Sequence, residues 1–238
     1  MAHTHLTAPT LVVEANGIRC AYRRFGEETG VPLLFMQHFR GGLDHWDPAI
    51  TDGFSIGGNV AQAFTFRHPN MVRRLILVGT GPRGGEPPTD PNYRPYATAT
   101  DPATGEGPLE AFLYLFFSPS PRGQAAGRAF WERRHRRQHD VDRPSSPQTM
   151  AAQSAAIADW REVRGQRFAA LRSITPPTLV VNGSKDVMIP TINSYWLSQH
   201  IPNARLIIYP DAGHGSLFQY PELFLAHVRI FLAQCPRR

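Results

Sequence analysis

Three residues of this 238-residue chain are of the types that together perform nucleophilic catalysis. Ser55 is the centre of Gly53-Phe54-Ser55-Ile56-Gly57, a full G-x-S-x-G, the pattern that presents a serine on a tight strand-to-helix turn. Asp186 follows the apolar run TLVVNG, and His214 lies in PDAGHG just after RLIIY. A serine hydroxyl is a weak nucleophile near neutral pH and needs a base to take its proton, which histidine does near its own pKa. The histidine in turn needs a carboxylate on its other ring nitrogen, to fix the tautomer and to stabilise the imidazolium. Asp211 and Asp159 are rival carboxylates; Asp186 leads because it stands one short loop past a buried strand. Charge developing on the substrate oxygen needs preorganised donors. The backbone N–H of Ile56, at the start of the following helix, supplies one, and the loop after PLLFMQHF supplies the other.

These side chains are useful only if the elements beneath them place them together. TLVVEANG and IRCAYRRFG flank Asn16-Gly17, a strong signal for a β-hairpin. PLLFMQHF, RRLILVGTG, PPTLVVNG and ARLIIY are continuous apolar runs, as expected of strands covered on both faces of a parallel sheet. A helix is expected from just after Ser55 to His68-Pro69, and a last one from Pro221 to about Leu232. From Gly84 to about Ser173 the pattern changes. A proline- and glycine-rich loop is followed by helical stretches at 109–117, 124–137 and 148–171. The expected architecture is α/β, a mostly parallel sheet of about six strands, with residues 1–83 and 174–238 forming the core and 84–173 an inserted helical cap. Sites in such sheets assemble at the carboxyl edge of the strands, where all three candidates fall.

With those segments in view, the sequence resembles the α/β-hydrolase superfamily over most of its length. GFSIGGNVAQAFTFRHPNMVRRLILVGTGP resembles the nucleophile elbow, its helix and the next strand. PTLVVNGSKDVMIP is similar to the acid-bearing segment, and IPNARLIIYPDAGHGSLFQYPELFLAHVRIFL to the histidine-bearing end. The order Ser, Asp, His along the chain is the order of that family, and the nearest subgroup contains serine hydrolases resembling non-haem haloperoxidases and enol-lactone hydrolases. The resemblance implies Ser55 as nucleophile, Asp186 as acid and His214 as base. It implies Arg40 or Phe39 as the second backbone oxyanion donor, since PLLFMQHFRGG is similar to the oxyanion loop. It implies no cofactor, and a small-molecule ester or lactone as substrate.

The chain departs from a full-length relative in one respect. Between the oxyanion loop and the elbow it lacks room for the usual strand, helix and second strand; WDPAI runs into TDGFSIGG, and Thr51-Asp52-Gly53 reads as a loop. Two functional readings follow: a working ester or lactone hydrolase, and an inactive, truncated hydrolase-derived protein.

Composition narrows the rest. The formal charge is +6 and the pI about 9.8, but Lys185 is the sole lysine, so the excess is an arginine bias and no nucleic-acid partner is inferred. WERRHRRQH (Trp131–His139) is expected to be a solvated helix face within the cap, and its alternative is a basic binding surface. The aromatic residues Phe112, Tyr114, Phe116 and Phe117 are cap core or pocket lining, and His38 a hydrogen-bonded residue at a strand end. Cys20 and Cys235 match no metal or redox spacing. Neither a secretory leader nor a membrane span is indicated, so a cytoplasmic location is expected.

Overall fold

Asn16 and Gly17 both adopt positive φ, 53° and 74°, the backbone a two-residue type I′ turn requires. They join β1 (Leu11–Ala15) to β2 (Ile18–Tyr22) in an antiparallel hairpin with Leu11 opposite Tyr22 and Ala15 opposite Ile18. All ten strand positions are exposed. The structure, a computed structural model, describes residues 3–26, 32–45 and 55–234. The expected loop Thr51-Asp52-Gly53 and Cys235 lie outside the described residues.

After α1 (Ile56–Arg67), the second sheet is built from β3 (Leu75–Val78), β4 (Thr178–Gly183) and β5 (Ala204–Tyr209), parallel and in the order β3-β4-β5. Leu75 pairs with Thr178 and Thr178 with Ala204. Successive side chains of a strand point to opposite faces, and here both faces are covered. Ile76, Val78, Leu179 and Val181 pack into one core with Phe112, Phe130, Phe218 and Phe224. Leu75, Leu77 and Val180 pack into another with Leu171, Ile174, Leu197 and Ile201. This two-sided burial is why the strands read as unbroken apolar runs.

Between β3 and β4 the chain forms α2 (Tyr93–Thr98), α3 (Leu109–Phe116), α4 (Pro121–Arg134) and α5 (Pro147–Arg161). Ser120 and Ser146 cap the last two, their hydroxyls accepting the N–H of Gly123 and Thr149 at 3.1 Å, with proline at the first helical position of each. The helix expected over 148–171 therefore starts one residue earlier. It stops at Arg161, and the cap residue Glu162 is extended. After β4 come α6 (Ile192–His200), α7 (Ser216–Gln219) and α8 (Pro221–Ala233).

The parallel α/β architecture is as expected, with one correction to its strands. PLLFMQHF forms no strand, and Leu33 and Leu34 are 52% and 69% exposed. A strand is held by the ladder on either side of it, and the described residues contain no strand paired with this segment. The expected six strands are accordingly five among the described residues, divided between a hairpin and a three-stranded sheet.

Candidate active site

Ser55 sits at the turn where the chain enters α1, with φ 58° and ψ −123°, a region a non-glycine residue occupies only under constraint. Two hydrogen bonds supply that constraint. Its N–H donates to the Val78 carbonyl at the end of β3, and its own carbonyl accepts the Gly58 N–H, both at 2.9 Å. Gly57 is needed for space, because a Cβ there would run into the backbone carbonyl of Met36. The start of α1 can thus lie directly against the segment that leads to Phe39 and Arg40. Ser55 is 8% exposed and borders two cavities, sharing both with Phe39 and Met188.

Asp186 stands three residues past β4 and His214 five past β5. Asp186 Oδ1 accepts the N–H groups of Met188 at 2.8 Å and Ile189 at 2.9 Å. Its Oδ2 accepts from His214 Nδ1 at 2.7 Å, with both side chains fully buried. An ionised carboxylate only accepts, so the imidazole proton is on Nδ1. Gly183 makes this approach possible: a side chain there would collide with the carbonyls of Ala212 and Gly213, whose loop folds over the end of β4. The rival carboxylates are engaged elsewhere. Asp211 accepts from the Ser120 hydroxyl at 2.6 Å, and Asp159 pairs with Arg83 at 3.0 Å.

The His214 ring meets the edge of Phe116 at 5.4 Å, and Phe116 meets His38 in the same way at 5.5 Å. His38 lines the first cavity with Ser55. Burial, with the positive charge of Arg134 nearby, pushes its pKa down to about 4 despite a 2.8 Å hydrogen bond to the Phe39 carbonyl. It is therefore a neutral ring donating through Nδ1, hydrogen-bonded as expected, but on a segment that forms no strand.

Of the two expected second donors, Arg40 has its backbone N–H engaged by Gln153 Oε1 of α5 at 2.9 Å. Its guanidinium bonds the Ala99 carbonyl at 2.7 Å and the Thr100 hydroxyl at 3.2 Å. The solvated face expected for WERRHRRQH is found in part: Glu132, His135, Arg136, Gln138 and His139 are exposed, and two arginines are not. Arg134 and Arg137 are each 7% exposed, and Arg134 lines the first cavity. Arg137 holds the amino-terminal segment, donating to the carbonyls of His5, Leu6 and Ala8 at 2.8–3.1 Å. Among the described residues no helix is long and apolar enough to cross a membrane, and no group of three or more side chains could hold a metal ion.

A family model described as the alpha/beta hydrolase fold matches residues 46–221 of the chain. The chain belongs to the α/β-hydrolase family. This α/β-hydrolase is 30% identical over 185 residues to the pimeloyl-[acyl-carrier protein] methyl ester esterase of Aromatoleum aromaticum, covering 74% of this chain and 70% of that one. It is 27% identical over 210 residues to the 2-hydroxymuconate semialdehyde hydrolase of a Pseudomonas species, covering 84% and 68%. Among solved structures it is similar to an alpha/beta hydrolase fold protein from Chitinophaga pinensis, with TM-score 0.86 and 33% identity over 98% of this chain and 100% of that one. Glu106 and Met188, which line the cavity beside Ser55, and Gln153, which holds the Arg40 N–H, carry no signal in the sequence. Arg134 carried a misleading one, since a run of charges is usually a solvated face.

Proposed function

We propose that this α/β-hydrolase is a serine hydrolase of carboxylic esters or lactones, with Ser55 as nucleophile, His214 as base and Asp186 as the carboxylate that orients it. The observation that carries the reading is the buried 2.7 Å pair of His214 and Asp186, and it is supported by a serine on a strained turn that lines a cavity walled by Phe116, the ring against His214. With Nδ1 committed to Asp186, proton traffic runs through Nε2. His214 takes the Ser55 proton as Oγ attacks the carbonyl carbon. The resulting oxyanion is held by the backbone N–H of Ile56 and of a residue in the 39–40 loop. Collapse expels the alcohol, which takes its proton from His214, and leaves an acyl-serine. Water activated by the same histidine then releases the acid. Every group in this sequence belongs to the protein, so no cofactor is required. Because Gln153 holds the Arg40 N–H, Phe39 is the better second donor. Residues 84–173 act as a cap whose aromatic side chains wall the cavity beside Ser55. An esterase among the relatives supports the ester class.

The test is turnover of short-chain p-nitrophenyl esters by wild-type protein and by Ser55→Ala. The reading expects a loss on the order of a thousandfold or more in kcat with an unchanged circular dichroism spectrum. Equal rates for the two proteins would refute it. A second reading, an inactive hydrolase-derived protein, draws on the course of 32–39, which is exposed at 32–34 and has no strand partner among the described residues. That reading expects a broad, non-cooperative melt and no turnover.

A further inference from the structure

The segment leading to Phe39 and Arg40 has no strand partner among the described residues, so its place is not fixed by a ladder there. Its hydrogen bonds run instead to the stretch between β3 and β4. Arg40 sits at φ 62°, a conformation that a non-glycine residue keeps only when its surroundings hold it. Its N–H donates to Gln153 Oε1 at 2.9 Å, and its carbonyl accepts from the Ser145 hydroxyl at 3.2 Å. Further along the loop, the Leu43 N–H donates to Asp142 Oδ2, and the Asp142 N–H donates to Asp44 Oδ2 at 2.6 Å. Gln153 belongs to α5, a helix with no fully buried residue. That helix is tied at its other end by Trp160. The indole N–H of Trp160 donates to the Gly81 carbonyl at 3.2 Å, and its backbone carbonyl accepts the Gly84 N–H at 3.0 Å. Seven residues separate Gln153 from Trp160, so both lie on one face of α5, about 10 Å apart along its axis. Gly81 and Gly84 follow β3, and it is the last residue of β3, Val78, whose carbonyl holds the Ser55 N–H.

We infer that α5 is a strut that sets the 39–40 loop against Ser55 from the end of β3, and that Gln153 is the positioning residue at its tip. The inference rests on the serine-hydrolase reading above and adds what holds the second oxyanion donor in place. A backbone donor lowers the barrier only if it already points where the negative charge will develop. A displacement of about 1 Å costs on the order of a hundredfold in rate. A loop with a strained residue and no ladder relaxes by such distances once its ties are cut. Gln153 is not among the residues lining either cavity beside Ser55, whereas Ser145 lines the first. The glutamine therefore acts through the Arg40 backbone, and its effect belongs to the transition state and not to substrate binding.

The experiment compares wild type, Gln153→Leu and Gln153→Glu on p-nitrophenyl esters and with a trifluoromethyl ketone, to which a serine adds to give a bound oxyanion. Hydrogen exchange is followed on the same proteins. Gln153→Leu keeps the bulk of the side chain and removes the acceptor. It is expected to lower kcat about ten- to a hundredfold and to weaken the ketone by a similar factor, with KM within about twofold of wild type. Gln153→Glu still accepts the Arg40 N–H and should recover part of both losses. Amides of the 39–43 peptide should exchange at least about tenfold faster in Gln153→Leu while those of β4 keep their rate. A merely structural glutamine would cost active molecules, lowering kcat with the ketone's inhibition constant unchanged. That result, an unchanged kcat, or unchanged exchange at 39–43 overturns the inference. Should Gln153→Leu fail to fold, Ser145→Ala cuts the other tie to Arg40 and is read by exchange in the same way. A wild type that turns over no ester sinks the hydrolase reading; the exchange at 39–43 then decides the strut by itself.

Discussion

At the scale of single residues, the His214–Asp186 pair makes the sharpest demand. Asp186→Asn removes the charge but keeps the shape, and it favours the wrong imidazole tautomer. A fall of roughly 10³–10⁴ in kcat is expected, measured on the same esters with the melting temperature as control. A loss below tenfold would mean the pair is structural. His38 gives a pH prediction of definite sign. Its folded-state pKa of about 4 lies below the ordinary value of 6.5, so the unfolded chain takes up the proton first. The stability tied to its neutral form is complete above about pH 6.5 and is lost as pH falls towards 4, by roughly 3 kcal/mol in all. His5, also depressed by burial, acts in the same direction. Melting temperatures between pH 7.5 and 4.5 should fall less steeply for His38→Gln than for the wild type; parallel curves would contradict the assignment. The proposed catalytic residues were legible because G-x-S-x-G marks the turn into α1 and DAGHG follows the apolar run of β5. Arg134 was not, because sequence shows its charge and not the Trp131 and Phe112 rings that bury it.

At the scale of elements, Gly57 is where α1 meets the segment that leads to Phe39 and Arg40. Gly57→Ala would push α1 away from the Met36 carbonyl, and a shift of about 1 Å at a reacting serine costs on the order of a hundredfold in rate. Esterase activity should therefore fall by far more than stability, which overpacking lowers by about 1–3 kcal/mol. Equal activity in Gly57→Ala would show that the two segments do not bear on each other. In α5 no residue is fully buried, whereas every residue of β4 is. Amide hydrogens of α5 should thus exchange well before those of β4, since protection follows burial and local contact. Comparable protection would argue that α5 is more firmly held than its packing indicates. The difference in burial also explains what could be read in advance. β3, β4 and β5 are apolar on both faces and announce themselves, as does the Asn16-Gly17 turn. The run 32–39 has the same composition but no ladder beside it among the described residues, and a strand is a property of pairs that one segment cannot declare.

At the scale of the whole molecule, the site is carried by three parallel strands with a core on each face, and the hairpin stands apart from that sheet. Two packed layers with aromatic side chains stacked across them, such as Phe130 on Phe218 at 4.2 Å, should unfold as a unit. A single cooperative melt, with coincident far-ultraviolet and tryptophan signals, is expected; separated transitions would show that the shortened sheet does not bind the molecule together. The overall class was readable from alternating apolar runs and helices, while the neighbours of each run were not, because pairing depends on segments far apart in sequence. The central claim is that this reduced sheet still brings Ser55, His214 and Asp186 into one reactive site. Treatment of the folded protein with a fluorophosphonate, followed by peptide mass spectrometry, tests it most directly. The account predicts near-stoichiometric modification of Ser55 that is abolished in His214→Ala. An unmodified Ser55 in cooperatively folded protein, or modification as fast without His214 as with it, would contradict the account.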